Sequence, residues 1–337
     1  MLDMNRFIEQ APKADLHVHL EGTIEPELML ELARKNDVRL AYQSVDEIKN
    51  AYEFDSLDHF LSLYYQGTRV LKEGADFYAI TKAYLYRAHQ QNTIHSEIFI
   101  DPQTHVPKGI SLDEILEGVN EAIREAEAEY GATTSLILCF LRNHGAPEAI
   151  RILKENKHLY HHFRAIGIAA SEIDHPPKEF KKLFELAAAI GFKLTAHAGE
   201  EGPAQYVSSA VYDLKVDRID HGNSAIEDEQ LMQYLIEKQI PLTMCPLSNL
   251  RLQVLDIIEN HPIHEMMQRG VKVTINSDDP SYFHGYMNEN LLTTQKAFNW
   301  GQAEIIRLIQ NSFDAAYVSD ERRIEMMVRL NAFLDNQ

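Results

Sequence analysis

The chain has 337 residues, of which 45% are hydrophobic and 25% charged, an ordinary composition for a globular protein with a substantial core. Its formal net charge of -19 argues against nucleic acid or an anionic membrane surface as a partner, because binding either normally requires clustered Lys and Arg. Cys139 and Cys245 lie in apolar runs and predict buried free thiols rather than a disulfide framework. The sequence has neither a basic and apolar leader nor a long apolar run, so we expect a cytoplasmic protein.

Eight short segments rich in apolar and β-branched residues, each bounded by turn residues, are predicted to be strands. They span residues 15–20, 95–100, 134–141, 163–169, 193–199, 218–222, 240–246 and 271–277. Amphipathic helical patterns separate them: one ends at Gly131, a second opens with Pro and ends at Gly191, and a third follows Asp228. Nearly continuous apolar strands that alternate with helices indicate a parallel sheet, and eight such units predict one TIM-type (β/α)8 barrel domain over residues 1–337.

The first connection, residues 21–94, is long and contains helical patterns. We therefore predict a helical insertion after the first strand, as a candidate lid over the active site. One apolar stripe within it is expected to supply mainly packing residues, with a minority that roof the active site. The stripe consists of Phe54, Leu57, Phe60, Leu61 and Tyr64.

The first predicted strand, in "ADLHVHLEG", carries two histidines at alternate positions. Residues i and i+2 of a strand share a face, so His17 and His19 are expected to converge on one point. Two neutral imidazoles this close suit a metal ion. Hydrogen-bonded core histidines are the alternative interpretation.

Reactive residues recur where the predicted strands end, as a TIM barrel requires. His197 closes the fifth strand and Asp278 the eighth, so barrel closure would bring both to His17 and His19. Three histidines and a carboxylate without thiolate suit zinc in a catalytic site, with iron or manganese as alternatives. An open doubly wound sheet is the alternative fold, but it would hold the first and eighth strands far apart.

Candidate acid and base groups flank these predicted ligands. Glu200 lies three residues after His197, near the metal without being needed as a ligand, as suits a proton donor and acceptor. His221 in "DHG" is placed to orient or deprotonate a metal-bound water. In "NSDDP", Asp278 and Asp279 point in opposite directions if the segment is extended, so that one binds the metal and the other the substrate. A solvated loop acid, a core histidine and a helix cap are the ordinary alternatives for these residues.

The motifs "HVHLEG", "HAGEEG", "DHG", "CPLSN" and "NSDDP", in this order over residues 17–280, closely resemble those of the adenosine and adenine deaminases of the amidohydrolase superfamily. The resemblance implies a zinc-dependent purine deaminase with one zinc ion per chain, held by the four predicted ligands. It also implies that Glu200 protonates N1 of the ring, His221 assists the metal hydroxide and Asp279 hydrogen-bonds N7. The other zinc deaminase fold uses a P-C-x-x-C signature, which "CPLS" lacks.

The residue two positions after His19 bears on the choice between a free base and a nucleoside as the substrate. Adenosine-specific members of the family resemble "HLDG", whereas this chain has Glu21 there, and its longer side chain is expected to exclude a ribose. Glu21, or Glu172 at the end of the fourth strand, is predicted to accept the N9 hydrogen of a free base. The segments at 97–105 and 171–177 also resemble the adenine branch. We therefore predict conversion of adenine to hypoxanthine and ammonia in purine salvage, with a small purine base as the partner.

Two departures from the adenine branch leave alternative substrates open. Ala169 and Ala170 stand where that branch has Asp and Ser, and Asn143 and His144 also differ. Smaller groups beside the purine would admit an N6-substituted adenine, and adenosine is a further alternative. A non-deaminase metal hydrolase and an inactive metal-binding barrel are alternatives from another class, but metal binding alone does not need Glu200. No sequence feature specifies an oligomeric state.

Overall fold

The computed structural model describes residues 3–336. Eight parallel strands form one sheet in sequence order, which confirms the predicted (β/α)8 barrel. Each predicted strand boundary lies within two residues of the observed one. The strands are β1 (Lys13–His19), β2 (Thr93–Ile100), β3 (Thr133–Leu141), β4 (Phe163–Ala169), β5 (Lys193–Ala198), β6 (Arg218–His221), β7 (Leu242–Met244) and β8 (Val273–Ile275).

The backbone just after β8 closes the barrel against β1. Val18 forms a parallel bridge with Asp278. The amide of Asp278 donates to the carbonyl of His17 at 2.8 Å, and the carbonyl of Asp278 accepts from the amide of His19 at 3.0 Å. The closing segments therefore carry three of the four predicted metal ligands, which an open sheet would have separated.

Helices and helical turns connect successive strands and cover the outside of the barrel. None of the helices within residues 3–336 has the length and apolarity needed to cross a membrane. The α-helices of the described residues are α1 (Met4–Gln10), α2 (Pro26–Lys35), α3 (Val45–Ala51), α4 (Leu57–Gly67), α5 (Gly74–Gln90), α6 (Pro102–His105), α7 (Leu112–Tyr130), α8 (Ala146–Glu155), α9 (Lys181–Ile190), α10 (Ala204–Ser209), α11 (Glu229–Lys238), α12 (Pro246–Arg251), α13 (Ile263–Arg269), α14 (Met287–Phe298), α15 (Gln302–Ala315) and α16 (Asp320–Asp335).

The three helices predicted from amphipathic patterns are present, and the residues predicted to bound them do so. Gly131 (φ 65°) follows α7 and Gly191 (φ 103°) follows α9, both in the left-handed conformation that ends a helix at low cost for glycine. The side chain of Asp228 caps α11 by accepting from the amides of Gln230 and Leu231. A 3-10 turn at Pro177–Phe180 precedes α9.

Apolar side chains pack in two layers. A large core fills the space around the strands and their covering helices. A smaller cluster inside the barrel includes Phe99, Ile137 and Tyr317. Both cysteines are buried free thiols, as predicted. The filled interior leaves the carboxyl ends of the strands as the place for a site.

Candidate active site

Three imidazoles and one carboxylate converge where β1, β5 and β8 end. The Nε2 atoms of His19 and His197 are 3.1 Å apart. Oδ1 of Asp278 lies 3.4 Å from Nε2 of His17 and 3.6 Å from Nε2 of His19. All four side chains are buried. The structure therefore brings together the four residues predicted as metal ligands.

The donor atoms of this cluster fit a metal ion. His17 Nδ1 lies 3.1 Å from the hydroxyl of Thr243, which leaves Nε2 facing the cluster. That Nε2 is buried, and no group within residues 3–336 hydrogen-bonds to it. Neutral nitrogens and a carboxylate oxygen aimed at one point are the donor set typical of a catalytic zinc site.

Cys245 also lies beside the cluster, where the sequence predicted no sulfur. Its sulfur lies within 4.8 Å of donor atoms of His17, His221 and Asp278. Burial, reinforced by the charge of Asp278, raises the pKa of the Cys245 thiol well above its usual value. The three histidines and Asp278 supply a complete nitrogen and oxygen donor set without this sulfur.

Asp220 contacts His17 and His197 of the cluster and was not singled out in the sequence analysis. Its Oδ2 lies 3.4 Å from Nδ1 of His197, and the hydroxyl of Thr243 donates to its Oδ1 at 2.9 Å. Burial alone would raise the pKa of Asp220, but the neighbouring His197, His17 and Arg218 lower it. An ionised carboxylate behind an imidazole fixes the orientation of the ring. Its position directly before His221 in "DHG" was the available signal.

Glu200 and His221 lie together beside this cluster. Nε2 of His221 is 3.5 Å from Oε2 of Glu200 and 3.8 Å from Oδ2 of Asp278. Burial, with the charges of Asp278 and Glu172, raises the pKa of Glu200 well above its usual value. Burial also lowers the pKa of His221 well below its usual value. The pair can therefore present a proton donor and a neutral base at one place.

Asp279 lies beside the ligands and lines a cavity, with one carboxylate oxygen within 4.8 Å of donor atoms of His19 and Asp278. Its Oδ1 is buried, without a hydrogen-bond partner in the described chain. Burial and the charge of Asp278 raise the pKa of Asp279 well above its usual value. A Cβ at Gly22 would lie 2.6 Å from the Cα of Asp279, so the "HLEG" turn needs glycine there.

The cavity encloses about 430 Å³ of space not filled by atoms, including its open mouth. Its polar end contains ligands of the cluster together with Glu200, His221 and Asp279. Apolar and aromatic side chains form most of the remaining wall. This combination suits a flat, heteroaromatic ligand that is oriented by a few polar contacts.

Helix α4 of the 21–94 segment forms part of the cavity wall. Four of the five stripe residues line the cavity, namely Leu57, Phe60, Leu61 and Tyr64. Phe54 packs against Phe60 with ring centroids 5.3 Å apart. Four of the five residues belong to the hydrophobic core, as expected, but four of the five also line the cavity, which is more than the predicted minority. The sequence pattern of an apolar stripe is the same whether the helix faces a cavity or a core.

Glu21, predicted from the sequence to exclude a ribose and to accept the N9 hydrogen, is not among the residues that line the cavity. Its side chain is 1% exposed and lies outside the cavity wall. Oε1 of Glu21 lies 2.5 Å from Nε2 of His105, and the hydroxyl of Tyr64 donates to Oε2 at 3.3 Å. These two partners hold the carboxylate behind the wall.

Glu172 also differs from its predicted role as a substrate contact. Its two carboxylate oxygens accept hydrogen bonds from the backbone amides of four consecutive residues at 2.6 to 3.3 Å. These residues are Gly199, Glu200, Glu201 and Gly202, the loop after β5. One bond goes to Oε1 and three go to Oε2, so the carboxylate holds the backbone of Glu200 in place.

Asp101 is a further carboxyl group in the cavity that the sequence did not single out. It follows β2 and lines the cavity wall. The signal was available in "EIFIDPQTH", where it follows a buried strand in the same way as the predicted ligands. Ala169 and Ala170, the departures noted in the sequence, also line the cavity.

Comparison with known proteins agrees with this geometry. A family model described as adenosine deaminase matches residues 12–333. The chain belongs to the adenosine deaminase family. A family member from Hahella chejuensis, named adenine deaminase, is 46% identical over 333 residues, covering 99% of this chain and 100% of the relative.

Solved structures of relatives extend the comparison within the family. An adenine deaminase from Arthrobacter aurescens superimposes with a TM-score of 0.94 at 39% identity, covering 96% of this chain and 99% of that one. An amidohydrolase from Burkholderia ambifaria, solved with bound Zn, gives a TM-score of 0.90 at 27% identity, covering 100% of this chain and 95% of that one.

Proposed function

We propose that this member of the adenosine deaminase family hydrolyses adenine to hypoxanthine and ammonia, with one zinc ion per chain. The observation that carries the proposal is the convergence of the four-residue cluster with Glu200, His221 and Asp279 at one end of the cavity. The names of the relatives from Hahella chejuensis and Arthrobacter aurescens support adenine as the substrate. The zinc-bound relative supports the choice of metal.

His17, His19, His197 and Asp278 would hold the metal. When bound, zinc supplies a nucleophile for hydrolysis at neutral pH. The buried nitrogen of His17, together with the mixed nitrogen and oxygen donors, supports this ligand set. Contacts with Asp220 would keep the rings of His17 and His197 oriented toward the metal ion.

The neighbouring side chains would supply the proton transfers and the orientation. Glu200, protonated because its pKa is raised, gives its proton to N1 as C6 is attacked. His221, neutral because its pKa is lowered, accepts the proton of the attacking water and passes it to the C6 amino group. The C6–N6 bond then breaks to release ammonia, and the proton of the new C6 hydroxyl returns to Glu200 as the carbonyl of hypoxanthine forms. Asp279 also has a raised pKa, and its protonated carboxyl donates to N7. The walls from α4 would exclude bulk water from these groups.

An N6-substituted adenine is the second candidate substrate, because Ala169 and Ala170 do line the cavity. An inactive metal-binding barrel is disfavoured, since Glu200 lies within 3.5 Å of His221 and outside the ligand set. The purine salvage role and the cytoplasmic location stay predictions.

Ammonia release from adenine, adenosine, N6-methyladenine and an aminopteridine tests this proposal. We expect the catalytic efficiency for adenine to exceed that for adenosine by at least about a hundredfold. An unpaired buried polar group costs about 1 to 3 kcal/mol, and steric exclusion of the sugar adds to this. Elemental analysis should find one zinc ion per chain. Similar efficiency for adenine and adenosine would refute the base assignment, and no ammonia from any substrate would refute a deaminase.

A further inference from the structure

The proposed contacts fix how a purine lies in the barrel. With C6 at the metal end, N1 meets Glu200 after β5 and N7 meets Asp279 after β8. The perimeter of the base runs from N1 through C2, N3, N9 and C8 to N7. The strands run from β5 through β4, β3, β2 and β1 to β8 in the same circuit. The N3 to N9 edge of the base must therefore face the ends of β4, β3 and β2.

Those strand ends present one polar side chain to the cavity. Within the described chain, the cavity residues at or after the ends of β2, β3 and β4 are Asp101, Leu141, Ala169 and Ala170. Asp101 is the member of this set that can form hydrogen bonds through its side chain. Side-chain hydrogen bonding to the N3 to N9 edge from these strands therefore falls to Asp101.

The surroundings of Asp101 leave one of its two carboxyl oxygens without a protein partner. The side chain is only 2% exposed, and its Oδ1 has no hydrogen-bond partner within residues 3–336. Burial, reinforced by the charge of Glu21, raises the pKa of Asp101 well above its usual value, although a contact with Cys139 opposes the shift. In its protonated form the carboxyl offers one donor and one acceptor side by side.

We propose that Asp101 is the residue that selects the free base, through two parallel hydrogen bonds to the N3 to N9 edge. The Asp101 hydroxyl donates to N3, and its carbonyl oxygen accepts from N9–H. A nucleoside carries a glycosidic carbon at N9, which removes the donor and places the sugar against the carboxyl group. This inference rests on the proposed function. It assigns the selection of the free base to Asp101 rather than to Glu21.

Glu21 provides the matched comparison. It is a buried carboxylate close enough to influence Asp101, yet it lies outside the cavity wall and is bound to His105 and Tyr64. Substituting it changes the surroundings of Asp101 without removing a group that faces the base. A comparison of Glu21→Gln with Asp101 variants therefore separates the two assignments.

The experiment measures the efficiency ratio between adenine and 9-methyladenine in zinc-loaded protein. Wild type should prefer adenine by at least about a hundredfold, as expected for a site that hydrogen-bonds an N–H group which the analogue lacks. Asp101→Leu should reduce this ratio at least about tenfold, mainly through KM for adenine. Asp101→Asn should keep most of the ratio, because its amide offers the same donor and acceptor pair. Glu21→Gln should keep the ratio.

A binding measurement separates failure of this inference from failure of the proposed function. Calorimetric titration with hypoxanthine and 9-methylhypoxanthine should show the same dependence on residue 101 without turnover. An unchanged ratio in Asp101→Leu, or a ratio lost in Asp101→Asn or Glu21→Gln, would overturn the assignment of Asp101. Selective binding through Asp101 without ammonia release from adenine would instead refute the proposed reaction and support the inference.

Discussion

Adjacent residues in "NSDDP" acquire opposite proton affinities from their surroundings. Burial would raise the pKa of Asp278, but His17, His221 and His19 lower it well below its usual value. Burial and the charge of Asp278 raise the pKa of Asp279. One carboxylate thus stays ionised while the other holds a proton, a division that suits a metal ligand beside a hydrogen-bond donor.

The clearest prediction for a single side chain concerns Glu200. Replacing Glu200 with Gln should lower kcat for adenine by at least about 10² to 10⁴, because protonation of the ring in the transition state contributes that much. Zinc content should stay at the wild-type level, since Glu200 is outside the ligand set. Glu201→Gln, which alters the next carboxylate of the same loop, should stay within about tenfold of wild type. Near-normal turnover in Glu200→Gln would assign the proton donor elsewhere.

A second prediction concerns Glu172, which holds the loop carrying Glu200. Glu172→Gln would aim amide hydrogens at backbone donors, so the free energy of unfolding should fall by at least about 2 kcal/mol. We expect kcat to fall at least about tenfold as well, because Glu200 loses its support. Urea unfolding and steady-state kinetics measure the two effects. Glu185→Gln, on the exposed face of α9, should change neither, and wild-type stability in Glu172→Gln would contradict the positioning role.

At the scale of elements, local sequence signals determine where helices begin and end, while function lies at the ends of the strands. Asp228, Gly131 and Gly191 bound their helices through side-chain capping or a left-handed backbone. His221 (φ 64°), Asp278 (φ 64°) and Ala170 (φ 73°) adopt the same left-handed conformation where β6, β8 and β4 give way to loops. Such strain in residues other than glycine is tolerated where the surrounding structure enforces it, as in active sites.

The cap of α11 gives a prediction at this scale. Asp228→Ala removes the acceptor of two backbone amides at 3.0 Å and should reduce the free energy of unfolding by about 0.5 to 2 kcal/mol. Catalytic efficiency should be unchanged, since α11 lies outside the cavity wall. Glu237→Ala, at an exposed position of the same helix, controls for the loss of a surface carboxylate. Equal stability of the two variants in thermal unfolding would argue against the capping role.

At the scale of the whole molecule, the proposed metal site coincides with barrel closure. The backbone of Asp278 bonds to His17 and His19 of β1, and its side chain faces the same two histidines. His197, in β5, contacts His19 of β1 across the barrel. A metal ion held by these residues would therefore crosslink distant parts of the chain in the native state.

Metal removal tests this link between the site and the fold. Binding at a hundred times the Kd stabilises a native state by about 2.7 kcal/mol, so chelation should lower Tm by at least about 3 °C. Readdition of zinc should restore Tm in wild type. The Asp278→Asn variant should show a much smaller metal-dependent shift. Identical Tm values for chelated and zinc-loaded wild type would refute a metal ion that links β1 to the segment after β8.

The sequence by itself determined the eight strands, the barrel and the residues that form the cluster of three histidines and an aspartate. Periodicity and turn residues are local properties, and parallel closure then places the ends of the strands together regardless of loop detail. For this reason His17, His19, His197 and Asp278 were predicted correctly as neighbours, and Glu200 and His221 were predicted to lie beside them.

Only the tertiary structure decided which of the remaining carboxyl groups face the cavity. Glu21, Glu172 and Asp101 are all acids near strand ends, and their spacing along the chain does not distinguish them. His105 and Tyr64 hold Glu21, and four backbone amides occupy Glu172, whereas Oδ1 of Asp101 has no partner within residues 3–336. A side chain's hydrogen-bond partners come from elements distant in sequence, and those partners decide whether a carboxyl supports the wall or meets the ligand.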